Sequence, residues 1–439
     1  MSTRPYDRSF ALAFVSQAIF ALANMLLAHY ARWIGFLGGS TDDVGWIIGI
    51  GSVAGRVLRP WMAQFIDRVG NKASWALGYG IFGAGTIGSL WLYDLSWSVY
   101  VYRSCLVLGP ALVFANSITY ITKIFPDTRR TEAIGVMGAS GLAAMLVGPY
   151  IGDVILGLGS EPRTRDDFTT LFLTAIGLMV VPFGCLFLIR VPDTRNRQTR
   201  LRLTDFVRTV RRYWPGGGLV VNVIHGLYMS VPFAFLPRFI DDAKISIPGS
   251  SELGTFFMAY AGLALVLRVL TRRVPDRRGR RKVLLVGLCF CGTAAFSLLL
   301  VDSSRPWLLI VAGLAGGAGH ALSFPPLTSL CLERFPAEAR GSGAALSFLM
   351  VDVGTIGGAP LLGLLAENYG WHAMFIAAGS ACFLSASYYF SLSVPVWHER
   401  ARRRRLGLAN EPSHEVAPWT KHYGLPVAKS SSEDAAKIH

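Results

Sequence analysis

Among the ionisable side chains inside long apolar runs, five are candidates for proton coupling: Asp352, Arg103, His225, His320 and Asp153. A charge in hydrocarbon is expensive, so each needs a partner or a water-filled cavity, and such groups mark proton or ion pathways. Asp352 falls ten residues into the run 342–366, roughly mid-membrane at about 1.5 Å per helical residue. It is the mid-membrane carboxylate on these boundaries and the leading site for a proton or a cationic substrate; a structural ion pair with Arg268 or Arg103 is the alternative. His225 and His320 lie near mid-depth, and histidine ordinarily titrates near neutral pH; the alternative for each is a satisfied hydrogen-bonder. Nothing in the chain assembles a catalytic constellation: G-x-S-x-G, H-E-x-x-H, a metal-ligand cluster and a nucleotide-binding loop are all missing from the sequence. Neither enzyme chemistry nor a cofactor or metal is expected.

The elements that must position these groups are membrane spans. Hydrophobic residues make up 52% of the chain, charged residues 16%, and mean hydropathy is +0.43, which does not suit a soluble surface. Twelve apolar runs, near 9–30, 44–66, 73–93, 98–123, 134–157, 168–189, 214–237, 250–271, 282–301, 306–332, 342–366 and 371–394, are long enough to cross a hydrocarbon core. The expected fold is therefore an all-α membrane protein of twelve transmembrane helices. The net charge of +15 does not point to nucleic acid. Most of the 42 Lys and Arg, densest at 190–213 and 272–282, fall on one side, as the positive-inside rule requires for cytoplasmic N- and C-termini. A multi-pass protein of the cell membrane, in contact with the lipid bilayer, is expected. The six cysteines all lie in apolar runs without a C-x-x-C, which implies neither a disulfide framework nor a zinc site. Arg4 and Arg8 before an apolar run imitate a signal peptide, but the run is too long for a signal core and reads as the first span.

The spans repeat. Asp67-Arg68-Val-Gly70-Asn-Lys72 recurs as Asp276-Arg277-Arg-Gly279-Arg-Arg281, and Arg59 recurs as Arg268 at the same offset of 209. Gly109, Ala111, Phe114, Phe125, Pro126 and Arg130 return 210 residues later, and Pro149 and Gly152 return 211 later as Pro360 and Gly363. Two six-helix halves of like orientation follow: 1–189 and 214–394, joined by a basic linker at 190–213 and followed by a tail at 395–439. Leu201, Leu203, Phe206 and Val210 make a helical stripe in the linker that suits the inner membrane surface. The polar tail lacks the apolar periodicity of a core and reads as disordered. Gly70 and Gly279 permit backbone conformations that so short a hairpin needs.

This duplicated charged turn resembles the signature loop of the major facilitator superfamily, and the resemblance covers residues 8 to 395. It departs in having Ala63 where the family usually has Gly, Asn71 where it has a cation, and Arg272 at the first position of the second copy. The resemblance implies two six-helix pseudo-repeats, alternating access, a monomer, and turns that gate one end, with Asp67 facing the eleventh helix. On this reading Arg59, Asp67, Arg68, Gly70, Lys72, Arg268, Asp276, Arg277, Gly279 and Arg281 serve the gates. Arg59 and Arg268 brace the turns rather than bind substrate. Charges that only anchor helix ends are the alternative.

Gly135, Ala144, Gly148, Pro149, Gly152 and Asp153 in span five are similar to a glycine–proline pattern of the superfamily's exporters and antiporters, with Ala144 and Asp153 departing from it. Ordinary close helix packing needs the same glycines. Arg103 resembles the buried arginine of the fourth helix in proton-coupled members. Family members line their cavity with the first, second, fourth and fifth helices of each half, and the ionisable groups here obey that split: spans three, six, nine and twelve hold none in their middles. Gln17, Asn24, Asn116, Tyr120, Asn222, Tyr228 and Tyr260 complete the candidate lining, which suits an amphipathic organic solute. Expected partners are thus a small-molecule substrate and protons. Proton-coupled export stands first and symport of an organic acid second, since Arg103 and two histidines suit an anion; a membrane-embedded transferase and a sensor are more remote.

Overall fold

The structure, a computed structural model, describes residues 6–125, 127–158, 162–190, 203–271, 274–336 and 339–405. The first half is built from α1 (Arg8–Phe36), α2 (41–69), α3 (Asn71–Leu90), α4 (Ser98–Ile124), α5 (Asp127–Ile155) and α6 (Arg165–Leu188). The second is built from α7 (Gly216–Asp242), α8 (Glu252–Leu270), α9 (Arg280–Leu300), α10 (Leu308–Leu332), α11 (340–369) and α12 (371–405). No strand occurs among the described residues. Nine helices there are long and apolar enough to cross a membrane, one of which joins α11 to α12. Gly370, at φ 81°, divides that pair, and α3 and the interrupted α2 bring the count to the expected twelve.

Local chemistry sets most helix ends. Ser40 and Asp43 form a capping box at the start of α2, and Thr164 and Asp167 form one at α6, satisfying orphan amides in each first turn. Ser251 caps α8 by accepting from the Gly254 amide. At the two repeated turns Gly70 has φ 90° and Gly279 has φ 93°, a region that disfavours any side chain. Gly279→Ala, with open space around the position, is therefore expected to cost about 1 kcal/mol through backbone strain alone. A fall of about 1–2 °C in Tm, read by thermal unfolding, checks it.

Several expected boundaries shift. α1 runs on to Phe36 rather than stopping near 30 because Trp33, Ile34 and Phe36 continue its apolar face, with one 3₁₀ turn at Leu27–His29. α2 is three pieces, Thr41–Gly51, Val53–Val57 and Arg59–Val69; Ser52 bonds back to the Ile48 carbonyl at 2.6 Å beside the first break, a competition that bends helices. α7 carries a π-helical stretch at Val231–Phe235, next to Pro232 and Pro237. α12 continues through Arg405, so the expected tail begins as helix; residues 406–439 lie outside the described part. Within the linker Leu203–Arg212 is helical, and Val210 packs against Leu219, Phe335 and Leu346 of the second half. A one-turn helix, Val274–Arg278, occupies the second charged turn.

α5 packs on α1 and, across the halves, on α8; α11 packs on α7 and, across the halves, on α2. α6 and α12 turn apolar side chains outward, with Phe187 85%, Val180 72% and Leu384 69% exposed, surfaces that only hydrocarbon covers well. Both termini of the described chain lie at one end of the bundle, the near end; the opposite end is the far end.

Candidate functional site

Polar contacts between the halves centre on two places. At the far end Arg32 of α1 is buried at 4% exposure and donates to Asp153 of α5. It also donates through Nε to both carboxylate oxygens of Asp241 on α7 at 3.1 Å. Arg163, just before α6, adds a second forked pair to Asp241 at 2.6 and 3.0 Å. Asp153 reaches across as well, accepting from the Ser251 hydroxyl and from the Leu253 amide at 3.1 Å, both at the start of α8. His29 sits between Arg32 Nη1, at 2.9 Å, and the Pro149 carbonyl, at 3.0 Å. Elsewhere at this end the Thr41 amide donates to Glu367 of α11 at 2.9 Å. Packing follows the same lines: a Cβ on Gly45 would come within 2.6 Å of the Ala359 carbonyl, and one on Gly254 within 2.8 Å of Tyr150. The far end is closed.

The second place is midway along α11. Asp352 of α11 lies 2.9 Å from Arg59 Nε and 3.6 Å from Arg56 Nε, both on α2. The partners are thus neither Arg268 nor Arg103. Arg59, expected to brace a turn, instead pairs across the two halves. Its guanidinium also lies over the Phe348 ring at 5.4 Å.

Within the second half the structure brings His225 and His320 together, their rings stacked with centroids 6.0 Å apart. Arg268 Nη2 lies 3.2 Å from His320 Nε2, so this arginine also reaches inward rather than bracing its turn. His225 Nδ1 is 3.3 Å from the Ser323 hydroxyl. Tyr260 and Phe324 flank His320 at 5.9 and 5.2 Å. Arg103 is set apart in the first half, over the Tyr30 ring at 5.1 Å.

A helical membrane bundle of two repeats with this seam has known relatives. The family model described as Major Facilitator Superfamily matches residues 9–356 and 276–428. The chain belongs to the major facilitator superfamily. It is similar to the multidrug resistance protein MdtG of Escherichia coli O9:H4 (strain HS), 24% identical over 415 residues, 89% of this chain and 93% of that one. In fold it is similar to a POT family transporter solved with a thioalcohol-conjugated peptide, at TM-score 0.74 and 12% identity, covering 89% of this chain and 96% of that one. A D-xylose–proton symporter matches at TM-score 0.69 and 14% identity, covering 87% and 96%.

In the signature turn Asp67 pairs with Lys123 at the end of α4, 2.9 Å away and within its own half. Arg68 and Lys72 are exposed. Arg281 lies over the Tyr389 ring of α12 at 5.8 Å, and the side chains of Asp276 and Arg277 lie outside the described residues. The superfamily's exporter-type glycines serve packing within the first half: a Cβ on Gly148 would meet Met25 and one on Gly152 would meet His29, both on α1. Asp153, the departure from that pattern, is the residue that carries the far-end lattice.

Several candidate lining residues turn out to join helices. Gln17 donates to the Met137 carbonyl at 3.0 Å and to Ser140 at 2.9 Å, tying α1 to α5; Asn222 does the same for α7 and α11, donating to Ser347 at 2.8 Å. Asn116 exchanges hydrogen bonds with Asn71 at 2.7 Å, and Tyr120 packs edge-on to Trp75 at 5.2 Å, both inside the α3–α4 contact. Asn222 borders a cavity of about 50 Å³ within the second half, beside Arg281 and Tyr389, far too small for an organic solute. Asn24 is half-buried on α1. Tyr228 and Tyr260 both pack on Gly316 beside the histidine pair. Sequence reasoning missed Arg32, His29, Asp241 and Arg163. One signal was available: Arg32 and Asp241 are 209 residues apart, the offset that relates the two charged turns.

Proposed function

We propose that this transporter exports a small organic, amphipathic compound in exchange for protons, by rocking of 1–189 against 214–394 around a central site. The observation that carries the coupling is the position of Asp352, buried on one half and paired with Arg59 and Arg56 of the other. A carboxylate held by cations across a moving interface gains a proton more readily when those cations withdraw. Proton occupancy and conformation are then linked, and each drives the other. The likeness to a protein named for multidrug resistance supports export. The placement of Lys and Arg supports cytoplasmic termini in a cell membrane, with the near end inside and the closed far end outside; a monomer suffices for the whole path.

A second reading, proton symport of an organic anion, is favoured by Arg103 and Arg268, which pair with no carboxylate among the described residues. Purified protein in liposomes, with an imposed pH gradient and an internal pH dye, separates the two. A cationic, a neutral and an anionic amphiphile are added in turn. Proton movement opposite to the solute is expected; movement with the solute establishes symport, and none with any solute overturns proton coupling.

A further inference from the structure

The two halves share an arginine but not its counter-ion. Arg59 and Arg268 are repeat equivalents, 209 residues apart. Arg59 finds Asp352 on α11. The offset of 211 that relates Pro149 to Pro360 and Gly152 to Gly363 puts Gly141 of α5 at the position of Asp352, beside Leu142. Leu142, the next residue, fills the α5–α8 interface, packed with Ala264 and Leu267 of α8 and Ala321 of α10. The protein therefore supplies no carboxylate where the repeat would place one for Arg268, and no ion pair to Arg268 occurs among the described residues.

What surrounds Arg268 is a set of buried ring and guanidinium nitrogens without partners. His320 accepts from Arg268 through Nε2, which puts its own proton on Nδ1, and that buried atom has no partner. Arg268 Nε and His225 Nε2 are likewise buried and unpartnered, with His225 itself 1% exposed. Each such group left unsatisfied is costly, and an unneutralised guanidinium more so. A continuous wall of rings leads away from them: His320 to Phe324 at 5.2 Å, Phe324 to Phe348 at 5.8 Å, and Phe348 to the guanidinium of Arg59 at 5.4 Å. Far-end arginines are different, since Arg32 and Arg163 both hold Asp241.

We propose that Arg268, His320 and His225 form a subsite for the carboxylate of an amphipathic organic anion whose apolar body lies along Phe324 and Phe348. The anion takes the counter-ion role for Arg268 that Asp352 has for Arg59. The assignment rests on the transport reading for its purpose, but binding tests it apart from flux.

The full chain in lipid nanodiscs is titrated with three probes of one body, naphthylacetate, naphthylacetamide and naphthylethylammonium. The carboxylate is expected to bind at least about tenfold more tightly than the amide, the size of one charge-assisted contact. Arg268→Gln is expected to abolish that preference, and Arg268→Lys to keep part of it. Leu142→Asp, which sets a carboxylate in the α5–α8 interface, abolishes it while leaving Arg268 in place. Equal binding of the three probes, binding of none, or a carboxylate preference that survives in folded Arg268→Gln overturns the subsite. In pH-gradient liposomes the two ideas part: a carboxylate preference without proton movement sinks the coupling alone. Proton movement driven by any of the probes, with no carboxylate preference in binding, sinks the subsite alone.

Discussion

Asp352→Asn is expected to abolish pH-gradient-driven transport while the protein stays folded. Asn keeps the shape of Asp but cannot exchange a proton, so the link between protonation and the α2–α11 contact is cut. Stability should fall modestly. The Arg59 side chain is 34% exposed and Arg56 18%, so water can take over part of the lost counter-charge. The Asp352 side chain itself is only 6% exposed, so a cost of about 1–3 kcal/mol is expected, with Tm lowered by a few degrees. Two measurements on one preparation check this: proton-driven flux, and exchange of labelled for unlabelled solute without a gradient. Exchange should persist while driven flux falls to background. Loss of both would assign Asp352 a packing role, and unchanged driven flux would move the proton site elsewhere.

What could be read from the chain was what repeats or what hydrocarbon forbids. The turns at Gly70 and Gly279 stand out because a positive-φ pivot and its charges recur at one offset. That Asp352 stands well inside its helix followed from counting along an apolar run. Its partners did not, because which helix of the other half faces α11 is a rigid-body property set by many weak contacts. Asn116 and Gln17 show a related limit: a carboxamide in a span joins helices as readily as it lines a cavity, and only the rotation of α4 and α1 decides which. His225 and His320 were visible singly, but their stacking needs the relative register of α7 and α10. Arg32 was hidden by a boundary, since α1 was ended at residue 30 and the arginine fell into an apparent loop.

Arg32→Gln is expected to open the far end. The guanidinium holds Asp153 within its own half and Asp241 across the interface, with side-chain exposures of 2%, 3% and 14%. Removing one partner from a buried network costs about 3–5 kcal/mol, because the others are left desolvated. Here the structure has a cheaper escape than unfolding. Separating α1 from α7 and α5 from α8 lets water reach both aspartates, so the loss appears as a shift of the closed–open equilibrium by about 100-fold or more. Hydrogen exchange followed by mass spectrometry should show faster exchange at 26–41 and 240–255, including the Leu253 amide that now bonds Asp153. The turns at Gly70 and Gly279, at the other end, should be unaffected or slower. Asp241→Asn should act in the same direction but more weakly, since Arg32 keeps Asp153. Unchanged exchange at both far-end segments in folded Arg32→Gln would show that helix packing at Gly45 and Gly254 closes this end without the ion network. The lattice would then be a consequence of closure and not its cause.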